Sequence, residues 1–141
     1  MTPKTRVIFV CTANAARSQM AEGLLRAKYG DRFEVFSAGT RQAKVSTSAI
    51  TVMQEIGIDI SHHRSKKLDE FWGTSFDLAV TLCDNAHAIC PIISGAKKTL
   101  HRGFSDPHMV HGTDETILDG YRRVRDEIAN WIENEFGKVA E

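Results

Sequence analysis

The stretch RVIFVCTANAARSQMAEGLLRAKYG, Arg6 to Gly30, changes its period in the middle. Arg6 to Val10 is a continuous β-branched and aromatic run, the pattern of a strand buried on both faces. From Arg17 to Tyr29 the residues Met20, Ala21, Leu24 and Leu25 recur at helical spacing, and Gly30 stands where such a helix ends. A short loop, Thr12 to Ala16, joins the two with mostly small residues. A strand feeding directly into a helix is the repeating unit of a parallel α/β sheet. This unit also has a thiol, Cys11, at one end of its loop and a guanidinium, Arg17, at the other.

The alternation continues along the chain. Phe33 to Ser37 reads as a second strand, Asp77 to Leu82 as a third and Lys98 to Phe104 as a weaker fourth. Ser46 can cap a helix whose Ala49, Val52, Met53 and Ile56 share one face, stopped by Gly57. A long helix begins near Thr113 and buries Ile117, Tyr121, Val124, Ile128, Trp131 and Ile132. The expected architecture is one domain over residues 1–141: a small three-layer α/β sandwich with a four-stranded parallel sheet of flavodoxin-like order.

Composition narrows the class of function. Apolar residues make up 42% of the 141, enough for an ordinary core. Eighteen basic residues balance eighteen acidic ones, so no general attraction to nucleic acid or anionic lipid is expected. The opening MTPKTR carries no apolar signal core, and no apolar run could span a bilayer. A cytoplasmic monomer is the expectation. Three cysteines, Cys11, Cys83 and Cys90, are an odd number for a secreted disulfide framework. In a reducing compartment they are buried small hydrophobes or reactive thiols.

In such a sheet, ligands sit outside the carboxyl ends of the strands. Cys11 follows the first strand, Cys83 the third and Asp106 the fourth, so the strand assignment alone brings all three to one rim. The N–H groups of Thr12, Ala13, Asn14, Ala15 and Ala16, at a helix start, can point inward and bind a tetrahedral oxyanion. Arg17 adds a planar fork for two of its oxygens. That positive setting favours the thiolate of Cys11, and Ser18 can donate a hydroxyl proton to it. The loop reads as an anion cradle with a nucleophile at its base, and a carboxylic acid at Asp106 could protonate a departing oxygen. Cys83 and Cys90 have the wrong spacing for a zinc knuckle and lack a completing histidine pair, so no metal is expected; as inert core thiols they stay possible.

The string VIFVCTANAARSQMAEG resembles the active-site loop of the low-molecular-weight protein tyrosine phosphatase family, and more closely its thioredoxin-coupled arsenate reductases. The resemblance continues through FSAGT (Phe36 to Thr40), GIDISHH (Gly57 to His63), VTLCDNAHAICP (Val80 to Pro91), GFSDP (Gly103 to Pro107) and YRRVRDEI (Tyr121 to Ile128). It implies that Cys11 is the nucleophile, Arg17 the oxyanion binder, Ser18 the thiolate stabiliser, Asn14 the residue that shapes the cradle and Asp106 the general acid. It further implies a thiol–disulfide relay from Cys11 to Cys83 to Cys90, regenerated by an external dithiol such as thioredoxin, with no bound cofactor. If Asp84 to Ile89 is helical, Cys83 and Cys90 lie roughly 10 Å apart, beyond the span of about 7 Å that a disulfide allows, so the stretch must rearrange on oxidation.

The chain departs from the family pattern at four positions. Ala13 stands where the family usually has glycine; if that position needs a positive φ, alanine costs on the order of 1 kcal/mol. Ala16 replaces a cysteine, which leaves Cys83 as the resolving partner. His108 stands where phosphatases typically carry an aromatic that grips a phosphotyrosine ring, which favours a small inorganic substrate. Lys66 occupies the place of an aspartate that, in some of these reductases, helps bind potassium beside residues matching Asn14, Glu22 and Ser37. An ammonium there supplies the charge itself, and no strong potassium dependence is expected. The rival readings are a phosphatase acting on phosphate monoesters and a non-catalytic oxyanion-binding module.

Overall fold

Strand β1 (Thr5–Cys11) lies at the centre of a parallel sheet ordered β2-β1-β3-β4, with β2 at Phe33–Gly39, β3 at Phe76–Thr81 and β4 at Ala96–His101. The computed structural model describes residues 4–82, 93 and 95–137. Helices α1 (Arg17–Tyr29), α2 (Thr47–Glu55) and α3 (Asp114–Phe136) complete the framework, with short 3-10 helices at Leu68–Phe71 and Pro107–Met109. The order is the flavodoxin-like one, and β1 is hydrogen-bonded on both edges, which explains its unbroken apolar sequence.

Alternation along β1 divides the core in two. Val7, Phe9 and Cys11 face the cluster built with Met20, Leu24 and Leu25 of α1, Val52 and Met53 of α2, and Val124, Ile128 and Ile132 of α3. Ile8 and Val10 face the other way, toward Ala38, Phe76, Ala79 and Ile93, with Leu68 and Phe71 of the first 3-10 helix packed over them. Phe136 closes the first cluster, its ring edge-on to Phe33 at 5.2 Å and to Phe9 at 6.2 Å. Burying one such side chain contributes about 1.5–3 kcal/mol. Among the described residues no helix is long and apolar enough to cross a membrane.

The caps are where local chemistry places them. Ser46 Oγ accepts from Ala49 N at 3.3 Å, Thr113 Oγ1 accepts from Thr116 N at 3.2 Å, and Gly57 leaves α2 at φ 80°. Two expectations need correction. Ile56 is 42% exposed, because α2 stops at Glu55 and Ile56 is its C-cap, past the end of the buried face. The fourth strand runs Ala96–His101, earlier than Lys98 to Phe104, so Asp106 is reached through a loop. An edge strand carrying Lys97 and Lys98 has little apolar alternation from which to read its bounds.

Candidate active site

The loop from Cys11 to Arg17 leaves the carboxyl end of β1, where the chain's crossovers diverge toward β2 and β3. Its backbone is turned one way throughout. Cys11 O accepts from Thr40 N at 3.2 Å, Thr12 O from Arg41 N at 3.0 Å, Ala15 O from Ser46 N at 2.9 Å and Ala16 O from Met20 N at 2.8 Å. Ala13 O accepts from Ser65 Oγ at 2.9 Å, and Asn14 O from Gln19 Nε2 at 3.1 Å. In a trans peptide the N–H points opposite to the C=O. Six carbonyls bound outward therefore direct the following N–H groups, Thr12 to Arg17, into the concave side of the loop. That is the donor array a tetrahedral anion needs.

Gly39 makes the curvature possible. A Cβ there would stand 2.7 Å from Thr12 O, 2.8 Å from Asn14 N and 2.9 Å from the Ala13 carbonyl carbon. The left-handed residue is Asn14, at φ 52°, and no other non-glycine residue among those described has a positive φ. The condition under which Ala13 would be strained is thus not met; asparagine tolerates the left-handed region better than most residues.

Cys11 is buried, and its Sγ lies 2.8 Å from Ser18 Oγ. Ser18 Oγ accepts from Asn14 Nδ2 at 2.7 Å, which leaves the serine's own proton for the sulfur. Asn14 Nδ2 also reaches Ser37 Oγ at 3.0 Å, while its Oδ1 accepts from Gln19 Nε2 at 2.8 Å and Lys66 N at 2.9 Å. Arg17 is buried, donates from NH1 to Phe104 O at 3.1 Å, and holds NH2 3.6 Å from Asp106 Oδ2. Asp106 caps the second 3-10 helix, accepting from His108 N at 3.0 Å, with its side chain one-third exposed at 33%. Cys11, Arg17, Ser18 and Asp106 therefore meet at one rim. Leu82 N donates to Val10 O at 2.9 Å, so the third strand's end lies against the same rim. Cys83 and Cys90, and the segment from Asp84 to Ile89, lie outside the described residues.

Behind the loop, Glu22 and Ser37 share a hydrogen bond, and Lys66 Nζ stands 3.8 Å from Glu22 Oε1 and 3.0 Å from Arg64 O. Burial pushes the Lys66 ammonium below its ordinary value, against the pull of Glu22. The cluster of Asn14, Glu22, Ser37 and Lys66 holds its own cation, and these residues do not fit a potassium ion. Gln19, Ser65 and the Phe104 carbonyl were not foreseen. The available signal for Gln19 was a polar residue beside Met20 on a helix face otherwise read as buried.

The chain belongs to the low molecular weight phosphotyrosine protein phosphatase family, whose sequence profile matches residues 6–141. Within that class, an arsenate reductase of Halalkalibacterium halodurans is 44% identical over 129 residues, covering 92% of this chain and 93% of that protein. The solved structure of an arsenate reductase in its oxidised state superposes with a TM-score of 0.81 at 29% identity, over 96% of this chain and 99% of that one. A thioredoxin-dependent arsenate reductase of Corynebacterium glutamicum matches with a TM-score of 0.67 at 27% identity, over 94% of this chain and 62% of the other.

Proposed function

We propose that this chain is an arsenate reductase that works as one cytoplasmic domain, with Cys11 as its nucleophile. The observation that carries the reading is the ring of inward amides built around a thiol already hydrogen-bonded to Ser18. The Cys11 thiolate attacks arsenic, Asp106 gives a proton to the departing oxygen, and water leaves a covalent thiol–arsenate adduct. Cys83 then attacks the Cys11 sulfur. The sulfur–arsenic electron pair passes to arsenic, which leaves as arsenite while a Cys11–Cys83 disulfide forms. Cys90 attacks Cys83, frees Cys11 as thiolate and moves the disulfide to Cys83–Cys90, where a thioredoxin-type dithiol reduces it. The arsenate reductases among its relatives, and cysteines spaced as Cys83 and Cys90 are, support reduction over hydrolysis.

The same cradle supports weak hydrolysis of phosphate monoesters, which the family match favours as a side activity. Assaying purified protein with arsenate and with p-nitrophenyl phosphate, each with and without a thioredoxin system, separates the two. Arsenite production that requires the dithiol is expected. Cys11→Ser should abolish both activities while phosphate still binds, since a serine hydroxyl is hardly ionised at neutral pH. Cys90→Ser should accumulate a Cys11–Cys83 disulfide after one turnover, seen by peptide mapping; normal cycling of that variant would sink the relay.

A further inference from the structure

A chain of hydrogen bonds runs from half-buried His63, between α2 and the first 3-10 helix, to the thiol. His63 Nδ1 lies 2.8 Å from Gln19 Oε1, and Gln19 Nε2 donates to Asn14 Oδ1 at 2.8 Å. Asn14 Nδ2 donates to Ser18 Oγ at 2.7 Å, and Ser18 Oγ stands 2.8 Å from Cys11 Sγ. The donors settle the direction of each proton. Gln19 Nε2 also faces Asn14 O at 3.1 Å and Arg64 O at 2.9 Å. Three oxygens on that side require the amide nitrogen there, so the oxygen of the amide faces His63. An amide oxygen only accepts, and the ring must therefore carry a proton on Nδ1.

Burial pulls the His63 ring below its ordinary value, with Glu22 opposing and Arg26, His62 and Lys66 adding to the shift, which favours the neutral ring. With Nδ1 donating, the unprotonated Nε2 is left to face Arg26 NH1 at 3.4 Å. Both ring nitrogens thus have the partner that this one tautomer suits.

We propose that His63 is a positioning residue for the nucleophile: its Nδ1–H locks the fully buried Gln19 amide, which holds Asn14 in place and so aims the Ser18 hydroxyl at Cys11. The inference rests on Cys11 being the nucleophile but not on which oxyanion it attacks. Without the ring donor, Gln19 Oε1 is a buried acceptor lacking its partner. Turning the amide does not relieve that, because it would set the oxygen against Asn14 Oδ1 and the Arg64 carbonyl. The disturbance reaches the thiol because each member of the chain polarises and orients the next.

The test uses the Cys83→Ser/Cys90→Ser chain, in which Cys11 is the one remaining cysteine. His63→Leu and His63→Asn place the same number of side-chain heavy atoms on a chain that branches at Cγ, but only the asparagine returns an N–H close to the Nδ1 position. The readouts are the rate of Cys11 alkylation by iodoacetamide at neutral pH, followed by mass spectrometry, and the thermal midpoint. His63→Leu is expected to slow alkylation about fivefold, and His63→Asn to recover it to within about twofold of the parent. His63→Asp, shaped like the asparagine but presenting only acceptors to Gln19 Oε1, should slow it at least as much as leucine and serves if the leucine variant does not fold. Equal slowing by asparagine and by the variants without a donor would reduce His63 to a packing role, and no slowing by any would show that the chain does not reach the thiol; either result overturns the proposal. Alkylation needs neither arsenate nor thioredoxin. A protein that shows the His63 pattern yet reduces no arsenate would lose the proposed activity and keep the positioning chain.

Discussion

Two polar clusters tie distant parts of this chain together, and they differ in what surrounds them. Under the oxyanion loop, Asn14, Ser18, Gln19 and Ser37 are fully buried, and Ser65 nearly so. Between α2 and α3, Arg122 gathers Glu55, Glu115 and Asp119 while Arg125 reaches Glu55 and the Val52 carbonyl. The contacts of the second cluster are mostly between charged groups, yet the carboxylates of Glu115 and Asp119 have side chains 70% and 62% exposed. Water and salt offset most of the attraction between such charges. In the first cluster the groups are neutral, but any donor or acceptor left alone there has no water to turn to, at about 1–3 kcal/mol each. Burial, more than the number or charge of contacts, decides what each cluster is worth. It also explains why the loop can hold a left-handed Asn14, since several partners act together to keep it there.

Perturbing each cluster in turn measures the contrast. The largest effect on anion binding is expected from Gly39→Ala, whose methyl group would meet backbone atoms of Thr12, Ala13 and Asn14. Overpacking against backbone should cost about 1–3 kcal/mol and, by opening the amide ring, weaken phosphate binding on the order of tenfold or more. Thermal unfolding with and without phosphate reads both, and unchanged phosphate stabilisation would show that the ring does not depend on this approach.

Asn14→Gly keeps the left-handed backbone accessible but removes the side chain, so Lys66 N loses its partner while Ser18, Ser37 and Gln19 each lose one of several. A loss of about 1–3 kcal/mol is expected. Asn14→Ala should lose roughly 1 kcal/mol more, for the positive φ alone. Equal denaturant midpoints for the two would place the whole cost in the hydrogen bonds.

Lys66→Asp probes the edge of the buried cluster. Reduction by the parent should proceed equally in potassium and sodium chloride at matched ionic strength, since the ammonium beside Glu22 already supplies the cation. The aspartate variant should be slower and should recover with potassium specifically; a potassium response in the parent would show that Lys66 does not fill that role.

The smallest effect is expected from Arg122→Ala, a slight fall in thermal midpoint that shrinks as salt is added. Arg122, helped by Arg125, holds the Glu55 carboxyl below its ordinary value. A depressed carboxylate contributes stability that is present above its unfolded pKa and lost as pH falls through the folded one. The difference between parent and variant should therefore be visible at neutral pH and vanish in acid. A difference that persists in acid would assign it to packing of the arginine stem.

Much of the framework was legible in the sequence because its causes are local. The bounds of α1, the caps at Ser46 and Thr113 and the buried β1 follow from periodicity and capping within a few residues. Parallel strands then necessarily brought Cys11, Arg17 and Asp106 to the same end of the sheet, while Ser18 is carried there by the first turn of α1. Sequence periodicity could not find the end of α2 to within a residue, or the edge strand β4, where local preference is weak. Nor does it say which loop residue turns left-handed: the family pattern points to Ala13, whereas Asn14 carries the positive φ. The partners that hold Asn14 come from Gln19, Ser37 and Lys66, and the loop is braced further by Gly39 and Ser65. Most of these come from two or more elements away. No rule of local spacing joins a serine at the end of β2 or a backbone amide before the first 3-10 helix to a loop after β1. Packing brings them within hydrogen-bond distance, and their burial then leaves each with few other partners.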